Sequence, residues 1–180
     1  MPAFSNLYPN TNFTLTNASV AARARGGRSF DAPPGIMLIP ALSIPGLLAF
    51  GILLTVVTPS RLIDETNKTY RNFSLPMTAT FMFAGALFEE LLFRAIIQNM
   101  LLVLTGSALI AILITAALFA AIHVQYFKKP LMLLNITVPA LVFGWSHAAT
   151  ANLLVPLAVH FLVNPGMTLL LKYGVIKMRD

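Results

Sequence analysis

Two glutamates and an arginine, Glu89, Glu90 and Arg94, stand in the stretch FEELLFRAIIQ, between the runs 73–88 and 95–127, which hold no Lys, Arg, Asp or Glu. Ionised groups in such apolar surroundings are costly, so each needs a partner or a task. At about 100° per residue, Glu90 and Arg94 lie roughly 40° apart on one helix face, at the i, i+4 spacing of an intrahelical ion pair. Glu89 lies about 140° from Arg94 and must look elsewhere. Arg94 thus neutralises Glu90 and leaves Glu89 available as a general base.

The rest of the chain offers few partners. FAAIH places Phe119 and His123 one turn apart, and HFLVN places His160 and Asn164 at i and i+4 on one face. If their three helices converge, Glu89, Glu90, Arg94, His123, His160 and Asn164 form one buried polar cavity. Each group also has a plainer explanation. Glu90 with Arg94 is equally readable as a structural ion pair, and a membrane histidine as an interhelical hydrogen-bond partner. Glu89 has no structural use of this kind. His147, beside Trp145, is expected in an interfacial loop, and Phe119 and Phe143 in packing.

The elements that must position these groups belong to a membrane protein. The chain is 57% hydrophobic and 10% charged, against about 45–50% and about 25% for soluble domains. Four charge-free stretches, 32–60, 73–88, 95–127 and 130–171, split at turn signals into five expected helices: 36–57, 76–105, 107–125, 130–145 and 152–173. The fold class is therefore all-α, a polytopic transmembrane bundle over 34–180. Pro40 and Pro45 predict a kink or a late start in the first helix, and Pro165-Gly166 a kink in the last. Residues 1–33, rich in Asn, Thr and Ser and ending in ARARGGR, read as a flexible basic tail. The absence of cysteine excludes disulfides, Cys-based zinc sites and a Cys nucleophile.

A formal charge of +6 does not point to nucleic acid, because the basic residues outside the tail flank the helices in small groups, as topology signals do. With alternating spans, Arg61, Lys68, Arg71, Lys128, Lys129, Lys172, Lys177 and Arg179 fall on one side, the cytoplasmic one by the positive-inside rule. At about 1.5 Å per residue, Glu89 lies roughly 20 Å from Pro76, His123 about 8 Å from Lys128 and Asn164 about 12 Å from Lys172. The polar cavity is thus expected to open toward the basic, cytoplasmic side of a cell membrane.

The order EELLFR, FAAIH, FG at Phe143-Gly144 and HFLVN resembles the CAAX protease and bacteriocin-processing (CPBP) family, also called abortive infection or type 2 CAAX prenyl protease-like proteins, over about 76–172. The family pattern is EExxxR, FxxxH and HxxxN on successive core helices. The resemblance implies an intramembrane endopeptidase of the glutamate type, in a CAAX-type, bacteriocin-processing or self-immunity role, in which Glu89 and His123 polarise a water, His160 and Asn164 donate to the oxyanion, and Glu90 with Arg94 hold the second helix and Glu89 in place. It favours chemistry without metal or other cofactor, although Glu89, His123 and His160 are of ligand type. The implied partners are the lipid bilayer and a peptide or protein substrate. Because the family core usually sits in a larger bundle, an oligomer or an accessory membrane subunit is also expected. The alternative function is a non-catalytic membrane binding or immunity protein built on the same polar core; a proton-coupled carrier is a third.

Overall fold

The computed structural model describes residues 37–59 and 72–176. The expected basic tail over 1–33 lies outside them, as do the basic residues Arg61, Lys68, Arg71, Lys177 and Arg179. Among the described residues the chain is helical without strands. Helix α1 spans Leu38–Val57. Helix α2, Leu75–Glu90, runs on through a π-helical stretch, Leu91–Gln98, into α3, Asn99–Thr105. Then follow α4, Ala108–Ile122, a 3-10 turn at Val124–Tyr126, α5, Pro130–Thr150, and α6, Leu154–Lys172. Counting α2, the π stretch and α3 as one rod gives the five helices expected.

Local chemistry accounts for the boundaries. Gly106 adopts the left-handed conformation, with φ 65°, and ends α3; the Ser107 side chain then accepts from the Ile110 N–H and caps α4. Pro76 and Pro130 sit in first turns, where no N–H is required. Pro40 occupies the first turn of α1 for the same reason, so α1 starts at Leu38 despite its prolines. Pro165 lies inside α6, which spans Leu154–Lys172.

Two boundaries differ from expectation. The third helix stops at Ile122, with His123 as its terminal residue, instead of reaching Gln125. The fourth continues through WSHAAT to Thr150, because Ser146 donates to the Phe143 carbonyl and Thr150 to the Ser146 carbonyl. Polar side chains that bond their own helix backbone need no loop to satisfy them. His147 is therefore a buried helical residue rather than an interfacial loop residue, with Nε2 3.3 Å from Asn99 Oδ1.

Helix α6 packs against α1, α2 and α5, while α4 packs against α5, α3 and the π stretch. Small residues let the rods approach closely. A methyl added at Gly51 would stand 3.1 Å from Met167 Sδ, and one at Gly166 would stand 3.1 Å from Leu48 Cδ2. Leu47, Phe143, Val159 and Val163 form one apolar core, and Phe93, Ala116, Phe119 and Ala140 another.

Polarity is distributed as a bilayer demands. Glu90, Arg94, Gln98, Thr115, Ser146 and His160 are buried, whereas Met37, Leu42, Leu53, Val103, Leu104 and Leu109 face outward. Water would penalise that outer surface, but lipid covers it without cost. Helices α1, α5 and α6 are long and apolar enough to cross a membrane. The 15 residues of α4 reach only about 22 Å at 1.5 Å per residue.

Candidate active site

Glu89 and Glu90 close the regular part of α2, and the π stretch starts at the next residue. Single π-helical segments inside α-helices are rare and gather at functional sites. This one carries Arg94 and Gln98, both of which turn to α5. Arg94 Nη2 donates to the Ala140 carbonyl at 3.0 Å, and Gln98 Nε2 to the Gly144 carbonyl at 2.8 Å. A side-chain ladder one turn in pitch therefore locks the charged segment onto the neighbouring helix.

Glu90 and Arg94 are fully buried, with Glu90 Oε2 3.3 Å from Arg94 Nε. The guanidinium also lies over the rings of Phe119, 5.3 Å away, and Phe143, 5.5 Å away. Both aromatic faces attract the cation. The other oxygen of Glu90 is 2.9 Å from His160 Nδ1. An ionised carboxylate only accepts, so Nδ1 is the protonated nitrogen in this contact. Phe143 stacks on the His160 ring with centroids 4.6 Å apart, which fixes the ring plane.

Held this way, His160 presents Nε2 to Glu89, whose Oε2 is 3.6 Å distant. That is too long for a direct hydrogen bond. Unlike Glu90, the Glu89 side chain retains 29% exposure. His123 is fixed separately. Its Nδ1 lies 2.7 Å from the Phe119 carbonyl, which can only accept, so Nδ1 carries the hydrogen and Nε2 of the neutral ring keeps its lone pair. Tyr126 stacks parallel to the imidazole, with centroids 6.1 Å apart.

A cavity of about 430 Å³ gathers these groups: Glu89, His123, His160 and Asn164 all line it, while Glu90 and Arg94 lie behind its wall. The lining also includes α1 from Leu47 to Thr55 and Thr58 just beyond it, α2 from Phe81 to Ala86, Phe119 of α4, α5 from Leu131 to Phe143, and α6 as far as Leu171. The cavity therefore extends from the acidic pair toward the end of the bundle that carries Lys128, Lys129 and Lys172. Thr55, Thr58, Tyr126 and Asn135 add polar groups to the lining that sequence reasoning had not singled out. Asn135 is the lone amide of α5, which makes it conspicuous in the sequence; the threonines carry no comparable signal.

The His160–Glu90 contact is likewise not readable from spacing, which pairs Glu90 with Arg94 alone. It joins residues 70 positions apart, and only the packing of α2 against α6 creates it. Chemically, the arrangement pairs a cavity-facing carboxylate with two imidazoles, each held by one nitrogen and free to act with the other.

A helical bundle with a lipid-facing apolar surface and a polar interior cavity defines an integral membrane protein. A family model described as type II CAAX prenyl endopeptidase Rce1-like matches residues 71–165, more than half of the chain, and the chain belongs to that family. The matched segment contains all six polar groups. The chain is also similar to a protein of Bacillus subtilis (strain 168) named "Uncharacterized protein YpbD", at 29% identity over 109 residues covering 59% of this chain and 53% of that protein. It thus spans about half the length of the curated relative it matches. No solved structure gives a significant match.

Proposed function

We propose that this chain is an intramembrane endopeptidase of the glutamate type. The observation that carries the proposal is the convergence of Glu89, His123, His160 and Asn164, from three separate helices, on one cavity. A water held between the Glu89 carboxylate and the His123 Nε2 lone pair gives a proton to Glu89, and its oxygen bonds to the peptide carbonyl carbon. The displaced π electrons form an oxyanion, which accepts from the Asn164 carboxamide and from His160 Nε2–H, both ring nitrogens being protonated in that step. As the tetrahedral intermediate collapses, the C–N bond breaks and Glu89 returns its proton to the departing nitrogen. Glu90 keeps His160 in register through Nδ1, and Arg94 keeps Glu90 in place. No metal is needed for this sequence of steps.

Among CAAX-type, bacteriocin-processing and self-immunity roles, the family description favours the first, with a substrate peptide whose prenylated CAAX end lies at the membrane surface. The cavity's extension toward Lys128, Lys129 and Lys172 supports entry from the cytoplasmic face of a cell membrane by the positive-inside rule.

The test uses the purified chain in lipid nanodiscs and a fluorogenic peptide with a prenylated cysteine near its C-terminus. Glu89→Gln and Glu89→Ala are expected to lower kcat by about 10²-fold or more, the range for losing a general base, while thermal unfolding stays within a few degrees of wild type. Cleavage that continues at the wild-type rate without the Glu89 carboxylate refutes the mechanism. A wild-type biological effect that persists in both variants identifies a non-catalytic membrane binding or immunity protein instead.

A further inference from the structure

We infer that Asn135, through its carboxamide and its own backbone carbonyl together, forms a subsite for the main chain of an extended peptide in the cavity. The inference rests on the peptidase proposal only for the direction of its chemistry. The subsite itself is a statement about binding.

Asn135 and Pro139 stand four residues apart on α5, and both line the cavity. In a regular helix the carbonyl of residue 135 would accept from the N–H of residue 139. Proline has no N–H, and its ring crowds the carbonyl four residues back, turning it away from the helix axis. The Asn135 carbonyl is thus deprived of its helical donor on the face that borders the cavity. A main-chain carbonyl in an apolar wall needs a replacement partner. The Asn135 carboxamide, on the same face, makes no hydrogen bond among the described residues. One helix turn therefore presents two acceptors and an NH2 donor, the complement of a peptide unit with its N–H and C=O.

Position along α5 sets the distance to the proposed chemistry. Phe143, which stacks on His160, follows Asn135 by eight residues, about 12 Å along the helix axis. An extended chain rises about 3.3 Å per residue, so that span corresponds to three or four residues. The subsite thus engages the substrate backbone three or four residues from the scissile bond, toward the basic end of the bundle. Recognition of main chain rather than side chains predicts dependence on peptide length more than on sequence.

Pro139→Ala and Asn135→Leu separate this role from a structural one. The first restores the N–H that satisfies the carbonyl within the helix and should preserve or raise the thermal unfolding temperature. The second removes only the carboxamide. Binding is measured by fluorescence anisotropy on the Glu89→Gln protein in nanodiscs, with labelled prenylated peptides shortened one residue at a time. Both substitutions are expected to weaken full-length peptides about five- to ten-fold, the size of one lost hydrogen bond. Peptides too short to reach the subsite should bind all forms equally. On the wild-type background the loss should appear in KM with kcat unchanged. Equal effects on long and short peptides, or no effect on either, overturn the subsite. Wild-type protein that binds peptide without cleaving it refutes the Glu89 mechanism and leaves the length dependence readable. A protein that binds no peptide overturns both.

Discussion

His160 Nδ1 lies 2.9 Å from Glu90 Oε1, so the glutamate buried behind the cavity wall governs the imidazole that borders the cavity. Glu90 thereby serves two partners, Arg94 within its own rod and His160 on α6. The pair of adjacent glutamates divides accordingly: one carboxylate is consumed in fixing the architecture, and the other borders the cavity.

Removing Glu90 strands the buried Arg94 cation. Glu90→Ala is expected to cost about 3–5 kcal/mol, the range for breaking one side of a buried ion pair. The double variant Glu90→Leu with Arg94→Met should recover most of that loss, because no uncompensated charge remains. Thermal or denaturant unfolding in detergent measures both. Hydrolysis should stay low even in the stable double variant, since His160 has lost the partner at Nδ1. Restored activity there would show that the contact is merely structural.

Phe143 supports His160 by stacking and Arg94 by its ring face. Phe143→Ala should destabilise the bundle by about 3–5 kcal/mol through the cavity it leaves. Phe143→Leu should retain much of the stability yet lower kcat, because an aliphatic side chain fills space without orienting an imidazole. A leucine variant with wild-type kcat would remove Phe143 from the positioning of the ring.

The close approach of the π stretch and α4 to α5 depends on Gly144. A methyl group there would stand 3.1 Å from Gln98 Oε1 and 3.3 Å from Ile112 Cγ2. Gly144→Ala is expected to cost about 1–3 kcal/mol by overpacking. Combining it with Gln98→Ala should be less damaging than the sum of the two single changes, because the amide that obstructs the methyl is gone. Strict additivity in unfolding measurements would place the strain elsewhere.

His123 sits at the exposed end of α4 with its Nδ1–H engaged by the Phe119 carbonyl. His123→Ala is expected to reduce hydrolysis by about 10²-fold or more with only a small change in unfolding temperature, since the ring is half-buried. In 15N NMR spectra of the wild type, the His123 ring should show the Nδ1–H tautomer. An Nε2–H tautomer would contradict the lone pair assigned to the cavity side.

Much of this architecture is legible in the chain because hydrocarbon is an unforgiving solvent. Long uncharged stretches announce the spanning helices, and Gly106 and Pro130 announce their breaks, since those signals act within a few residues of where they stand. The i, i+4 spacing likewise marks Glu90 with Arg94, and His160 with Asn164, before any fold is known. Continuation of α5 through His147 was not legible, because whether a serine and a threonine end a helix or bond back into it depends on what surrounds them. Nor was the π stretch, whose register is set by where Arg94 and Gln98 meet two carbonyls of another helix.

The sequence by itself determined that a few ionisable groups lie within an otherwise apolar bundle, because the cost of burying charge makes such groups conspicuous wherever they occur. Only the tertiary structure decided which partner each one has. Glu90 reaches His160 across 70 residues of chain, and Glu89 borders a cavity built from five rods, because distance in space between helices is set by how their surfaces pack and leaves no periodic trace along the chain.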